Sequence, residues 1–160
     1  MDSANDAALE EPVTTLLLTR AFAAPPALLF KLWTQPEHIV RWWGCAETGA
    51  VDFTNDLRVG GAFTAVMQLS NGHTHRITGV YCKIEEPERL VFTWAWDNTD
   101  GFQGSETLVT VTFKETDGGT ELTLRHESFA TEDACMAHGE GWGASLERLA
   151  QMAAQVMSEG

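Results

Sequence analysis

The sequence is short of positive charge. Its 160 residues include ten lysines and arginines against 23 aspartates and glutamates, which gives a formal net charge of −13 at pH 7. No stretch of the chain gathers the basic side chains into a patch, and proteins that bind nucleic-acid phosphates need such a patch. The negative charge also disfavours an anionic membrane surface. We therefore expect neither a nucleic acid nor a membrane as a partner.

Cysteines and long apolar runs are scarce too. Cys45, Cys82 and Cys135 are far apart and show no C-x-x-C spacing, which is typical of free thiols in a reducing compartment. The first residues contain no basic stretch followed by an apolar one, as a secretion signal would. No apolar run approaches the ~20 residues that cross a bilayer. We therefore expect a cytoplasmic protein.

Alternating segments separated by turns fill the middle of the chain. Turn sequences such as Gly60-Gly61, Ser70-Asn71-Gly72 and Asp117-Gly118-Gly119 divide residues 50–129 into strands. Consecutive hairpins indicate an antiparallel sheet with one buried face. The expected strands are Val13–Phe22, a strand between Ala50 and the Gly60-Gly61 turn, Phe63–Leu69, His73–Ile84, Arg89–Trp96, Glu106–Lys114 and Thr120–Glu127.

Three helices complete the pattern. Two short helices follow the first strand, over Ala27–Thr34 and from Pro36 to about Trp43, and a long helix begins with Thr131 as its N-cap. Glycines at positions 139, 141 and 143 lower the intrinsic stability of the long helix and suggest a close approach to its backbone. A sheet curved around this helix would form a container. The apolar face of the helix consists of Trp142, Leu146, Leu149, Ala153 and Val156, which recur at helical spacing.

Several phrases of the chain occur in the register of one known family. They are Thr19-Arg20-Ala21-Phe22, Trp33-Thr34-Gln35-Pro36-Glu37-His38 before Trp42-Trp43-Gly44, Asp56-x-Arg58-x-Gly60-Gly61-x-Phe63, Pro87-Glu88-Arg89-Leu90-Val91-Phe92-Thr93-Trp94, and Gly141-Trp142-x-x-Ser145-Leu146-x-x-Leu149. Over roughly residues 14–155 this pattern resembles the SRPBCC or START-like superfamily, in particular its branch of activator-of-Hsp90-ATPase homologues. One departure is Cys45, where many relatives carry proline after Trp-Trp-Gly.

The resemblance implies an α+β fold of the helix-grip type. In this fold a curved antiparallel sheet of about seven strands surrounds a long C-terminal helix, with two short helices after the first strand. The cavity between them typically holds an apolar or aromatic small molecule, although the fold alone does not select a function. We expect one such domain over residues 13–158, preceded by a disordered acidic tail at residues 1–12.

Aromatic side chains are the main candidates for the wall of this cavity. The six tryptophans are many for a chain of this length, and Trp94 and Trp96 share one face of their strand. His126 stands in phase with Leu122 and Leu124 and should point inward. The expected ligand-binding residues are Trp42, Trp43, Phe63, Met67, Trp94, Trp96, His126, Trp142 and Leu146.

Three functions fit these residues. The leading hypothesis is a protein that binds a small apolar or aromatic molecule and has no catalytic centre and no cofactor. The second is a polyketide cyclase, aromatase or hydrolase, with His126 as acid–base and Glu106 or an arginine as its partner. The alternative for His126 is a structural histidine whose hydrogen bonds are satisfied. The third function is a module that acts on an Hsp90-type chaperone through its surface, and exposed edge strands would also allow a homodimer.

The other histidines suggest no additional site. His73 and His75 lie on one strand face, but without a third ligand we expect no metal site. His138 and Glu140 flank a glycine of the last helix, where we expect a side that faces solvent.

Overall fold

In the residues that the structure describes, seven strands and three helices follow each other in the expected order. The computed structural model describes residues 15–43, 48–96, 106–129 and 132–159. Strand β5 has the expected bounds and the others differ by a few residues. The predictions for the tail at residues 1–12, for Cys45 and for a cap at Thr131 lie outside the described residues. The elements are β1 (Leu16–Phe22), α1 (Pro26–Thr34), α2 (Pro36–Trp42), β2 (Thr48–Asn55), β3 (Ala62–Leu69), β4 (Thr74–Glu85), β5 (Arg89–Trp96), β6 (Thr107–Thr116), β7 (Gly119–Glu127) and α3 (Glu132–Glu159).

The strands form one antiparallel sheet in the order β1-β7-β6-β5-β4-β3-β2. Strands β2 to β7 are neighbours in sequence and in space, as consecutive hairpins require. Strand β1 instead pairs with β7, with Leu16 opposite His126 and Phe22 opposite Thr120. The two short helices carry the chain from β1 to the opposite edge of the sheet, so they lie against its inner face.

Helix α3 covers the inner face of this curled sheet. Trp142, Leu146, Leu149 and Ala153 are buried, and Val156 packs partly against the core. On the other side of the helix the exposed Glu147 forms an ion pair with Arg20 of β1, with an N–O distance of 2.8 Å. This arrangement of sheet and helix confirms the α+β helix-grip fold that the sequence predicts.

A bulge in β4 determines which of its side chains point inward. Tyr81 lies opposite Phe92 and Lys83 lies opposite Val91, so β4 has one residue more than β5 between these two pairs. Up to Tyr81 the odd-numbered residues of the strand are the more buried ones, whereas Cys82 and Lys83 are both exposed. Tyr81 is therefore the last buried residue of β4.

Hydrogen bonds fix the short helices against the sheet. The indole N–H of Trp42 donates to the carbonyl oxygen of Leu32 at 2.9 Å, which joins α2 to α1. At the end of β2, Nδ2 of Asn55 donates to the carbonyl oxygen of Thr34 at 2.8 Å and to the phenol oxygen of Tyr81 at 3.0 Å. Asn55 therefore links the end of α1 to the phenol group of Tyr81. None of the helices in the described residues combines the length and the hydropathy needed to span a membrane.

Another part of the chain approaches the backbone of α3 closely at Gly139 but not at Gly143. A Cβ atom added at Gly139 would lie 3.2 Å from a methyl group of Leu16, whereas one added at Gly143 would meet nothing within 4 Å. By contrast, a Cβ atom at Gly79 in β4 would collide with the carbonyl oxygen of Thr93 and with the ring of Phe63. Gly79 is thus required by packing, and Gly143 is not.

We predict that Gly143→Ala stabilises the protein by about 0.5–1 kcal/mol, because alanine loses less backbone entropy in a helix and has room here. Gly79→Ala is the matched comparison and should lower the free energy of unfolding, because its methyl group has no space. Urea unfolding followed by circular dichroism measures both changes. A destabilised Gly143→Ala variant would contradict the packing described for α3.

Candidate functional site

The space between the short helices and the sheet is almost filled by side chains. A central void of about 10 Å³ remains there, which is room for about one water molecule. Aromatic rings form most of its wall, and they come from α1, from the end of α2 and from four strands. The void is lined by Trp33, Trp43, Phe53, Phe63, Tyr81, Leu90 and Phe92.

Five indole rings form a connected cluster beside this void. Trp142 of α3 lies at its centre, with ring centroids 5.8 Å from Trp33, 5.7 Å from Trp43 and 5.1 Å from Trp94. Trp33 also contacts Trp42 at 4.7 Å. The rings belong to three helical segments and one strand, so this aromatic surface exists only in the folded chain.

The indole N–H groups of the cluster differ in their hydrogen bonding. Trp42 donates to a backbone carbonyl, as described above, and Trp142 donates to Nδ1 of His126 at 3.1 Å. Among the described residues, the buried Nε1 atoms of Trp33 and Trp94 have no hydrogen-bond partner. Burying a donor without an acceptor costs about 1–3 kcal/mol, so these two N–H groups need an explanation.

His126 is fully buried and both of its ring nitrogens are hydrogen-bonded. The hydroxyl of Thr107 donates its single proton to the carbonyl oxygen of Trp94 at 3.0 Å. It therefore accepts from Nε2–H of His126, at 2.7 Å. Because Nδ1 accepts from Trp142, the ring is neutral and carries its proton on Nε2.

His138 carries its proton on the other nitrogen. Its Nδ1 lies 2.7 Å from the carbonyl oxygen of Ala134 and donates to it, and its Nε2 accepts from the indole N–H of Trp96 at 2.8 Å. The expectation of a solvent-facing side chain was wrong for this residue. His138 is only partly exposed and lies against His126 and Phe129, with ring centroids 5.2 and 4.6 Å away.

Both imidazoles are held in the neutral form. Burial, and to a smaller extent the neighbouring His138, lowers the pKa of His126 to about 2. Burial also lowers the pKa of His138, although the hydrogen bond to Ala134 opposes the shift. A proton on Nδ1 of His126 would face the N–H of Trp142, donor against donor. The geometry and the pKa shift therefore agree.

The described residues do not assemble the pair that acid–base catalysis would need. Neither nitrogen of His126 is free to take or to give a proton, because each is already engaged. Glu106 is exposed, and Arg20 is paired with the exposed Glu147 at the edge strand β1. His126 is better described as a structural residue that joins α3 to the sheet.

Comparison with known proteins identifies the family. A family model described as Activator of Hsp90 ATPase homolog 1-like protein matches residues 23–154. The chain belongs to this family. The match confirms the resemblance seen in the sequence. Among curated proteins the chain has no match.

Solved structures of bacterial proteins share the fold of this activator homologue. The AHSA1 protein of Silicibacter pomeroyi is 27% identical with a TM-score of 0.75, over 91% of this chain and 99% of that chain. A protein of Rhodobacter sphaeroides is 28% identical with a TM-score of 0.75, over 90% of this chain and 94% of that chain. A protein of Mycobacterium smegmatis has a TM-score of 0.77 at 23% identity, over 91% and 94% of the two chains, and shows the fold alone.

The nine residues expected to bind a ligand in this activator homologue fall into three groups. Trp43 and Phe63 line the central void. The buried Trp94, Trp142 and His126 form the neighbouring hydrogen-bonded cluster, with Trp96 half-buried at its edge. The other three are core residues that do not line the void, namely Trp42, Met67 and Leu146. Contact of any of the nine with a ligand remains a prediction.

Five of the seven residues that line the void are not among the nine that the sequence predicts to bind a ligand. Leu90 and Phe92 share the strand face of Trp94 by alternation, and this signal was available. No comparable sequence pattern marks Phe53, Tyr81 and Trp33 as lining residues. Their rings come together only through the bulge in β4 and the position of α1.

The two histidines considered as a metal-binding pair, His73 and His75, do not line the void. His73 precedes β4, and His75 packs its ring against Trp96 at 5.3 Å. In the part of the chain that the structure describes, no three His, Cys, Asp or Glu side chains are grouped as a metal site would need.

We predict opposite tautomers for the two buried imidazoles. Long-range ¹H–¹⁵N NMR spectra should show the proton of His126 on Nε2 and that of His138 on Nδ1, because the surrounding donors and acceptors fix them.

Thr107→Val should remove the partner of His126 Nε2 and lower the free energy of unfolding by about 1–3 kcal/mol. A proton on Nδ1 of His126 in the native protein would contradict the network.

The lowered pKa of His126 also predicts how stability depends on pH. Below its ordinary value near 6.5 the unfolded chain binds a proton at this residue that the folded chain does not bind, so stability falls as pH falls. From pH 7 to pH 5.5 this residue alone should reduce the free energy of unfolding by about 1 kcal/mol. Urea unfolding at both pH values measures the loss.

The matched variants are His126→Gln, which should lose much of this pH dependence, and His73→Gln, which changes an exposed histidine and should keep it. A free energy of unfolding that stays constant or rises between pH 7 and pH 5.5 in the wild type would show that His126 is not held neutral.

Proposed function

We propose that this protein binds a small apolar or aromatic molecule between its sheet and its helices, and that it is a binding protein rather than an enzyme. The observation that supports this most strongly is the wall of the central void, where six of the seven lining residues are aromatic. Ligand sites in proteins are typically lined by apolar and aromatic side chains with few polar groups. The fold of the family is consistent with such a site.

The size of the void means that aromatic rings must move when a ligand binds. A void of about 10 Å³ holds one water molecule, whereas ligand sites commonly have roughly 300–1,000 Å³. A ligand would therefore stabilise an open arrangement that is a minor state of the free protein. Apolar burial of about 25 cal/mol per Å² would drive binding, and the loss of ring contacts would oppose it.

A binding role also accounts for the chemistry of the buried histidines. The imidazole of His126 joins α3 to β6 through hydrogen bonds at both nitrogens. An enzyme would need at least one of them to be available to a substrate. The histidine therefore contributes to the frame of the site and not to a reaction.

We predict that naphthalene, a planar apolar probe, binds saturably inside the protein. The side-chain N–H signals of the six tryptophans in a ¹H–¹⁵N spectrum give the readout, because Trp33 and Trp43 line the void and three further indoles pack beside them. Phe53→Ala enlarges the void and should bind naphthalene about tenfold more tightly than the wild type, since space is then available without moving an indole.

Phe30→Ala is the matched control, because Phe30 is equally buried but packs against Phe113 and does not line the void. It should not raise the affinity for naphthalene. The proposal would be wrong if neither the wild type nor Phe53→Ala gave saturable shifts.

A further inference from the structure

Trp43 occupies the centre of the proposed site. Its ring lines the central void and also stacks on Trp94 with centroids 5.5 Å apart. It contacts Phe53 at 5.6 Å and Trp142 at 5.7 Å. The ring therefore lies between the void and the indole of Trp94, and its removal would extend the void towards that indole.

The indole of Trp43 is held less firmly than those of Trp42 and Trp142. It follows the last residue of α2 in an extended conformation, with φ −69° and ψ 141°, and only its backbone N–H bonds back to the helix, at Ile39. Within the described residues, hydrogen bonds hold the indoles of Trp42 and Trp142 but not that of Trp43. Moving the Trp43 ring thus breaks ring contacts but no hydrogen bond, whereas moving Trp42 or Trp142 would break both.

The surfaces next to Trp43 offer hydrogen-bond donors that lack acceptors. Trp33 lines the same void and Trp94 lies against the Trp43 ring, and the Nε1 atoms of both are buried without a partner in the described part of the chain. Trp33 is 2% exposed and Trp94 is 6% exposed, so bulk solvent does not reach these side chains. The site thus holds two buried N–H groups that a bound molecule could satisfy.

Tyr81 adds a third donor at the void. Its phenol oxygen accepts a hydrogen bond from Nδ2 of Asn55 at 3.0 Å, and its own proton has no acceptor among the described residues. Burial raises the pKa of Tyr81, so the group remains a phenol that can donate. The seven residues that line the void include no charged side chain. A charged ligand would be left unpaired there, at high cost.

We propose that the Trp43 ring occupies the place of the ligand, and that the ligand is a neutral planar aromatic compound with hydrogen-bond acceptor oxygens, such as a ring ketone. This inference rests on the proposed function, because it needs an interior site, but it specifies which ring is displaced and which chemistry is recognised. An acceptor oxygen would satisfy the N–H of Trp33 or Trp94, which has no partner among the described residues. The flat ring system would take over the stacking that Trp43 provides.

Two probes of equal shape test the preference for an acceptor. Chromone is a planar bicyclic compound with a ketone and a ring oxygen, and naphthalene is its apolar counterpart. Trp43→Ala should bind chromone at least tenfold more tightly than the wild type does, because the ligand position is then open. It should also bind chromone at least tenfold more tightly than naphthalene, since a tenfold step corresponds to about one satisfied hydrogen bond. Chromone, but not naphthalene, should shift the indole N–H signals of Trp33 or Trp94.

Additional variants separate the effect of the indole N–H donors from the effect of the space left by Trp43. Adding Trp94→Phe or Trp33→Phe to Trp43→Ala should reduce the preference for chromone, because the ring remains while the donor is lost. Trp43→Phe should fold if Trp43→Ala does not, and it should bind chromone more tightly than the wild type because it leaves part of the space open. Phe30→Ala, with a hole elsewhere in the core, should show no gain for either probe.

The outcomes separate this inference from the proposed function. Equal affinities for chromone and naphthalene, with the signals of Trp33 and Trp94 unmoved, would overturn the acceptor preference while an interior site stands. Tight binding that is the same in the wild type and in the Trp43 variants would show that Trp43 does not occupy the ligand position. Binding of neither probe to any variant would overturn the inference and the proposed function together.

Discussion

A chain of hydrogen bonds joins the C-terminal helix to three strands of the sheet. The indole N–H of Trp142 in α3 donates to His126 in β7, His126 donates to Thr107 in β6, and Thr107 donates to the backbone of Trp94 in β5. Each group is buried, so the loss of one partner would leave another unsatisfied in a medium where that is costly. The position of α3, and with it the aromatic interior, depends on this chain.

Hydrogen bonds at both ring nitrogens explain how His126 and His138 fit among aromatic side chains in a stable fold. A neutral imidazole has one donor and one acceptor, and the structure supplies the complement of each for both rings. The rings differ in tautomer because their neighbours differ: His126 lies between a hydroxyl and an indole, and His138 between a carbonyl and an indole. Histidines with both ring nitrogens hydrogen-bonded stabilise the packing of α3 on the sheet. The indole N–H groups of Trp33 and Trp94, by contrast, have no hydrogen-bond partner among the described residues.

Local patterns predicted most of the fold but only part of the site. Strand β5 was predicted with its observed bounds because alternation is strong there and turns flank it on both sides. The inward direction of His126 followed from its phase with Leu122 and Leu124, and all three are fully buried. The glycine and glutamate beside His138 predict a solvent-facing side chain, but Trp96, which is distant in sequence, and Phe129, which precedes α3, cover it. The wall of the void depends on contacts of this kind, which no local pattern contains.

The central claim is that the interior of this activator homologue is a site for a neutral aromatic molecule. Native mass spectrometry of the protein purified under mild conditions, with denaturing extraction of the same sample, tests it most directly. The account predicts a complex heavier than the 17.6 kDa chain, and a released compound that is flat, uncharged and bears acceptor oxygens. A bare chain that stays bare after exposure to a broad set of planar aromatic compounds would contradict the claim.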